Sequence, residues 1–478
     1  MAAGPREPGW RPAAGARFFC TVGRGLEPFL MQEVRARLEA TQIEYISGKV
    51  FFTTSSDLNV LKTLKSAERL FLLIKKQFPF NVSSVSKGKM FSEMQTLIND
   101  DPESWLNAIS IWKSLLELDA EKEKLSQQDT NTLKRKLGEN DTIIAKKLKT
   151  EQMQATQEIG ECPLEKQIEE TLEQGNFLPK RETFEEEFQN GIAKAVDTHN
   201  QNGLTFRVSC RCSGTITKTF TAQEVGRIMG IALMKQFGWK ADLRNPNLEI
   251  FIHLNDMYSV VGIPVFRVPL ASRAYIKTAG LRSTIAWAMA SVAEIKDVYY
   301  VGADVSNSQL LGACDNLKAA GLKDKIELLK VSVIELPLPS ESVDIIISDI
   351  PFGKKFKLGK DIKSILQEME RVLHVGGTVV LLLSEDHHRH IKDCEGGSIP
   401  LKSKGSHTHV RGTEKCLIPD EKTGISETVP SSSEPRNQEC LDKVPRFGSL
   451  VPVECYKVSL GRTDAFICKY KKSHSSGL

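Results

Sequence analysis

No apolar run in this chain reaches the ~18 residues that mark a membrane span, and the opening "MAAGPREPGWRPAAGAR" has no apolar core of the secretory kind. A membrane protein is therefore not expected. Although ten cysteines are present, none forms a C-x-x-C pair and none has Cys/His spacing for zinc. Reduced thiols in an intracellular compartment are the expectation, with Cys210 and Cys212 at strand spacing read as packing. No strong charge imbalance exists either. The net charge is +4, which suits an anionic partner such as nucleic acid without requiring one.

The composition, 40% hydrophobic and 26% charged, is that of a folded soluble protein, and 478 residues exceed what one core usually holds. Residues 1–16 read as a flexible start, and 17–118 as a first folded region. There "RFFCTVGRGLEPFLMQEVRARL" predicts a strand, a glycine turn and a helix striped by Leu30, Val34 and Leu38. Gly23 and Gly25 are read as a turn, because no third glycine and no lysine-serine pair follow to make a phosphate loop. "YISGKVFFTT" predicts one further strand, and Trp105, Ile109, Trp112 and Leu116 fall at helical spacing as core residues. From 119 to 180 the chain is rich in Glu, Lys, Gln and Asn, the composition of a disordered linker. Its basic clusters, Lys134 to Lys136 and Lys146 to Lys149, have the spacing of a bipartite nuclear signal; a solvated charge run is the other reading.

Residues 181–265 predict a compact α/β unit. It comprises a helix in "RETFEEEFQNGIAKAVDTH", an alternating strand in "LTFRVSCRCSG", a helix opened by a Thr221/Glu224 capping box, and two strands joined at Asn255-Asp256. Arg207, Arg211, Lys218, Arg227, Lys240 and Arg244 make it basic, as a surface for RNA phosphates must be. From 266 to 478 strands and helices alternate, which predicts a parallel sheet with helices on its faces. Within it "KSILQEMERVLHVGG" reads as a helix ending at glycine, and "LVPVECYKVSL" with "DAFICKYKK" as a closing edge hairpin. A polar insert spans 386–444, and His387, His388 and His390 at its start lack partners at ligand spacing, so no metal site is assigned.

In such sheets ligands bind beyond the carboxyl ends of the strands. Asp304 ends "YYVGAD", a place for an acid that accepts both ribose hydroxyls of a nucleoside cofactor. Ser332 and Val333 follow the next strand, where an adenine would lie. "IIISDIPFGKK" ends another strand at Asp349. A purine exocyclic amine is a poor nucleophile until it is held in line and relieved of a proton. Asp349 is suited to accept that N–H, Pro351 to stiffen the loop and Phe352 to stack on the base. The competing reading is that Asp-x-Pro-x-Gly only ends a strand.

Together "FRVSCRCSG", "LRNPNLEIFIHL", "SRAYIKTAGLRSTIAWAM", "GADVSNSQLLGACDNLKAAG" and "SDIPFGKK" resemble the THUMP-domain RNA guanine-N2 methyltransferases. The resemblance covers nearly the whole chain outside the two polar stretches. It implies an N-terminal ferredoxin-like region, a THUMP domain that grips structured RNA (tRNA or a small RNA such as snRNA), and a Rossmann-like domain using S-adenosylmethionine. It also implies a small zinc-containing activator subunit on a sheet edge, and a nuclear or cytoplasmic location. Asp349, Pro351 and Phe352 match the family's base-holding motif, and Asp304 its cofactor acid.

One family segment has no counterpart. The first strand, ending in D-P-x-C-G-x-G-T, is absent, and only "EIK" separates the helix ending near Ala293 from the strand starting at Asp297. A parallel strand with its crossover needs a dozen or more residues beyond the strand, so it is not hidden there. The expected consequences are a lost cofactor loop and a sheet missing the strand that joins its halves. Moreover Ser332 stands where relatives carry an acid near the adenine. The chain reads as an RNA methyltransferase in shortened form; the alternative is a catalytically inactive RNA-binding protein. The first is favoured because D-I-P-F-G and Asp304 are whole.

Overall fold

The computed structural model describes residues 15–77, 87–117, 203–278, 280–295, 299–350, 362–385, 387, 391, 441, 444–461 and 463–474. The chain divides into two compact units, one of Met1–Ser56, Val60–Phe71 and Phe266–Leu478, the other of Asp57–Asn59 and Leu72–Val265. The linker at 119–180, its basic clusters, the helix expected near 182–198, His388 and His390 lie outside the described residues.

The first unit opens with β1 (Ala16–Thr21), α1 (Glu27–Leu38), β2 (Thr41–Ile46) and β3 (Lys49–Thr54). β1 and β3 pair antiparallel, and Phe18, Phe19, Cys20, Val50, Phe51 and Phe52 are all buried. Both faces of these strands are thus core. Leu30, Val34 and Leu38 of α1 are buried as their spacing requires. "YISGKVFFTT" is not one strand but a hairpin, because Gly48 takes φ +79° and turns the chain between β2 and β3. The Gly23–Gly25 turn binds a carboxylate of its own: Gly25 and Gly48 donate their N–H groups to Glu27 at 2.6 and 2.7 Å. Those donors are spent on the chain, as the turn reading requires.

β4 (Arg69–Gln77) is divided between the units. The second unit continues with α2 (Lys87–Asn99) and α3 (102–117), where Trp105, Ile109 and Trp112 are buried and the Trp105 indole donates to the Leu97 carbonyl at 3.1 Å. Next come β5 (Thr205–Cys212), α4 (Ala222–Phe237), β6 (Lys240–Ala241), β7 (Leu248–Leu254) and β8 (Ser259–Pro264). Their order is β8-β7-β5-β6, with β5 parallel to β7 and β7 antiparallel to β8. The capping box forms in full: the Glu224 N–H donates to the Thr221 hydroxyl and the Thr221 N–H to the Glu224 carboxylate. Gly238, at φ +70°, ends α4 in the left-handed conformation that favours glycine.

The first unit resumes with α5 (Ser283–Ala293), β9 (Tyr300–Asp304), α6 (Asn307–Ala320), β10 (Ile326–Lys330) and β11 (Val343–Asp349). It closes with α7 (Ile362–Val372), β12 (Leu373–Ser384), β13 (Leu450–Ser459) and β14 (Asp464–Lys472). The parallel strands do not share one sheet. β9 and β10 form a two-stranded sheet, while β11-β12-β14-β13 form another with β13 as its outer strand. The four-stranded sheet is well packed, with Leu366, Met369, Val379, Leu381, Leu383 and Cys468 in one core. By contrast, no apolar side chain described between Ala293 and Ile350 is buried. Tyr299, Val305 and Leu311 are 70%, 67% and 68% exposed. α7 ends at Val372 rather than at Gly376, because Leu373 already pairs with Val343 and the glycines belong to β12.

Candidate functional site

β11 ends at Asp349 because its Ile345–Ser348 run pairs in parallel register with Thr378–Leu381 of β12, which puts the carboxyl at the strand's open end. Ile350 then drops into the core and its N–H donates to the Leu382 carbonyl at 3.2 Å, fixing the backbone just beyond the acid. Although Asp349 is exposed, partial withdrawal of water from its carboxyl raises its pKa above the ordinary 3.8, and the charge of Asp304 raises it further. The two acids therefore sense each other across the ends of β9 and β11. Pro351 and Phe352 lie outside the described residues.

Asp304 occupies the carboxyl end of β9, as its place in the sequence predicts. Its Oδ1 accepts the Ser306 N–H at 2.7 Å, which sets the turn into α6. Ser332 and Val333 follow β10: the Ser332 carbonyl accepts from Glu335 N–H at 3.3 Å, and Val333 packs against the core of the four-stranded sheet. Asp304 and Asp349 thus both stand at the carboxyl ends of parallel strands. A complete nucleoside-cofactor site is not in place. By the family resemblance, the methionine portion of S-adenosylmethionine is taken by a backbone loop after a first strand, and among the described residues no strand joins β9 to β11. The residues present fit the acceptor side of a methyl transfer and leave the donor side unfinished.

On the second unit, Arg211, Lys218, Arg227, Lys240 and Arg244 are exposed, spread over β5, α4, β6 and the loops beside them. Arg207 is different. Its guanidinium donates to Glu249 at 2.8 Å on the neighbouring strand, where parallel register sets Arg207 opposite Glu249. The sequence contains the signal for that pair, since both residues lie on the polar-facing alternation of their strands, but the register needed to match them is a property of the sheet. The electrostatic effect of Asp304 on Asp349 was equally hidden, because it depends on where two strand ends fall in the fold. Among the described residues no group of three or more His, Cys, Asp or Glu is arranged to hold a metal, and no helix is long and apolar enough to cross a membrane.

Comparison with known proteins adds five matches. Residues 182–263 match the THUMP domain, and residues 293–394 match the RMKL-like methyltransferase domain. The U6 snRNA (guanine-N(2))-methyltransferase THUMPD2 of Bos taurus is 71% identical over an alignment of 502 positions covering 100% of both chains. Its counterpart from Homo sapiens is 75% identical, covering 99% of each. The crystal structure of TrmN from Thermus thermophilus superposes with a TM-score of 0.53 at 16% identity, covering 95% of this chain and 99% of that one, a likeness of fold. The bovine alignment runs 502 positions against a chain of 478, a surplus of 24 at which the relative has residues and this chain has none.

Proposed function

The chain belongs to the THUMP-domain RNA guanine-N2 methyltransferases, a family that draws its methyl group from S-adenosylmethionine, and from that premise we propose that its acceptor is a guanine of U6 snRNA. The observation that carries this is the 71 to 75% identity, over essentially the full length, to relatives named for that reaction. Transfer RNA, the acceptor of more distant relatives at 24% identity, is the weaker choice.

The chain's own residues supply the acceptor chemistry. Asp349 stands at the open end of β11 with a pKa pushed up by partial desolvation and by Asp304, which makes it a better proton acceptor than a free carboxylate. It takes the N2 proton that the guanine must lose as its lone pair becomes available. Pro351 and Phe352 belong to the same proposal as loop and stacking face, while Asp304, Ser332 and Val333 belong to the nucleoside side. Arg211, Lys218, Arg227, Lys240 and Arg244 present charge for RNA phosphates, which fix register without reading bases. A small zinc-containing activator on a sheet edge rests on the family resemblance alone. The basic clusters at Lys134 to Lys136 and Lys146 to Lys149 support a nuclear location beside a cytoplasmic one.

The test uses this chain with a first strand ending in a D-P-x-C-G-x-G-T loop, and its crossover, inserted between Lys296 and Asp297. Incubated with labelled S-adenosylmethionine and U6 snRNA, it is expected to yield N2-methylguanosine on nucleoside digestion. Absence of that nucleoside with U6 snRNA, or its appearance only with transfer RNA, would refute the assignment.

A further inference from the structure

Two cysteines of the closing hairpin stand opposite each other. Cys455 of β13 and Cys468 of β14 are register partners in an antiparallel pair, and their Sγ atoms are 3.5 Å apart. Directly opposed residues on antiparallel strands hold their Cα atoms about 4.5–5.5 Å apart, inside the range of about 4.4–6.8 Å that a disulfide spans. Bond formation therefore needs side-chain rotation and no movement of the strands. Both thiols are reduced and buried, within the core that holds Leu366, Met369 and Leu450. Among the described cysteines no other two are register partners on neighbouring strands.

An oxidant reaches this pair through the strand that carries Cys455. β13 is the outer strand of its sheet, whereas β14 and β12 are paired on both sides. Its register with β14 shifts between Pro452 and Glu454, and a proline has no N–H to give to the ladder. An outer strand interrupted beside Cys455 opens locally more readily than the strands inside the sheet.

We propose that Cys455 and Cys468 are a modification site at which a hydroperoxide closes a reversible cross-strand disulfide. In the opened strand one thiolate attacks the O–O bond of hydrogen peroxide, giving a sulfenic acid and hydroxide. The partner thiolate attacks that sulfur, so the S–S bond forms as the S–O bond breaks. The two thiols give up two electrons and two protons, and the peroxide leaves as two waters. The bond locks β13 to β14. α1 and the turn before it rest on the same strand: the Phe29 and Tyr456 ring centroids are 4.8 Å apart, and the Ser459 N–H donates to the Arg24 carbonyl at 2.9 Å. The cross-link thereby also fixes the surface that α1 packs on.

The cross-link is independent of the methyl-transfer reading and is detected by mass. The full chain is treated with hydrogen peroxide, remaining thiols are alkylated in denaturant, and tryptic peptides are mapped. The expected product is residues 447–457 joined to 463–469 and split by dithiothreitol. Amide exchange across 450–459 is expected to slow at least tenfold in the oxidised chain and to recover on reduction. Alkylation of both cysteines after peroxide overturns the proposal and leaves them as packing residues. Conversion to sulfinic or sulfonic acid, linkage of either one to another cysteine, or unchanged exchange with the bond formed overturns it as well. Cys455→Ala and Cys468→Ala are each expected to abolish the peroxide-dependent slowing, and slowing that persists in either variant assigns it to another thiol and overturns the proposal. The mass map on the unsubstituted chain decides the matter even where a variant fails to fold.

Discussion

Asp349 illustrates how a side chain's chemistry follows from where its strand stops. Its folded pKa is raised by partial desolvation first and by Asp304 second. The fold thus favours the protonated acid, so the stabilisation it gives is full below the unfolded value near 3.8 and is lost as pH rises through the folded value. We expect Asp349→Asn to be more stable than the parent at neutral pH, with the difference vanishing below the ordinary carboxylate range. Urea melts across pH check this, and an unchanged difference at every pH would contradict the shift. Arg207 and Arg211 make a second residue-scale contrast, four positions apart on one face of β5. Arg207 is held by Glu249 whereas Arg211 is exposed. Arg211→Ala is expected to weaken RNA binding and lower its salt slope by about one, while Arg207→Ala lowers stability and leaves the slope unchanged. Equal slopes in the two variants would remove the distinction. The sequence placed both in one basic set because it shows charge, not the strand register that consumes it.

Elements were legible where one local signal dominates. The Thr221/Glu224 box and the stripe of Leu30, Val34 and Leu38 both formed as spacing predicts, because capping and periodicity are settled within a few residues. Two boundaries moved for reasons outside the local sequence. Gly48 turned one expected strand into a hairpin, and Gly376 and Gly377 were drawn into β12 when Leu373 found Val343 across the sheet. Because the capping box of α4 is exposed and complete, Thr221→Ala is expected to cost about 1 kcal/mol of stability of the second unit. Chemical denaturation measures it; a cost below a few tenths of that figure would show that packing of Val225, Ile228 and Met229 holds the helix without its cap.

For the molecule as a whole, the decisive feature is a strand that does not exist. The sequence lacks the segment ending in D-P-x-C-G-x-G-T, and the fold answers with a split sheet: β10-β9 apart from β11-β12-β14-β13. Burial follows the same division. The four-stranded side has a dense core, whereas the stretch from Glu294 to Asp349 buries no described apolar side chain. Hydrophobic burial is the main stabilising term of a domain, so β9, α6 and β10, with no described apolar side chain fully buried, are expected to open before the four-stranded sheet. On the proposed reading, Asp349 at the end of β11 keeps the acceptor side of the transfer, while the donor side at Asp304 lacks its loop. Titration calorimetry with S-adenosylmethionine tests this most directly, on the chain as it stands and on the chain with a first strand ending in a D-P-x-C-G-x-G-T loop, and its crossover, inserted between Lys296 and Asp297. The account predicts no saturable heat for the first and one-site saturation for the second; saturable one-site binding by the chain as it stands would contradict it.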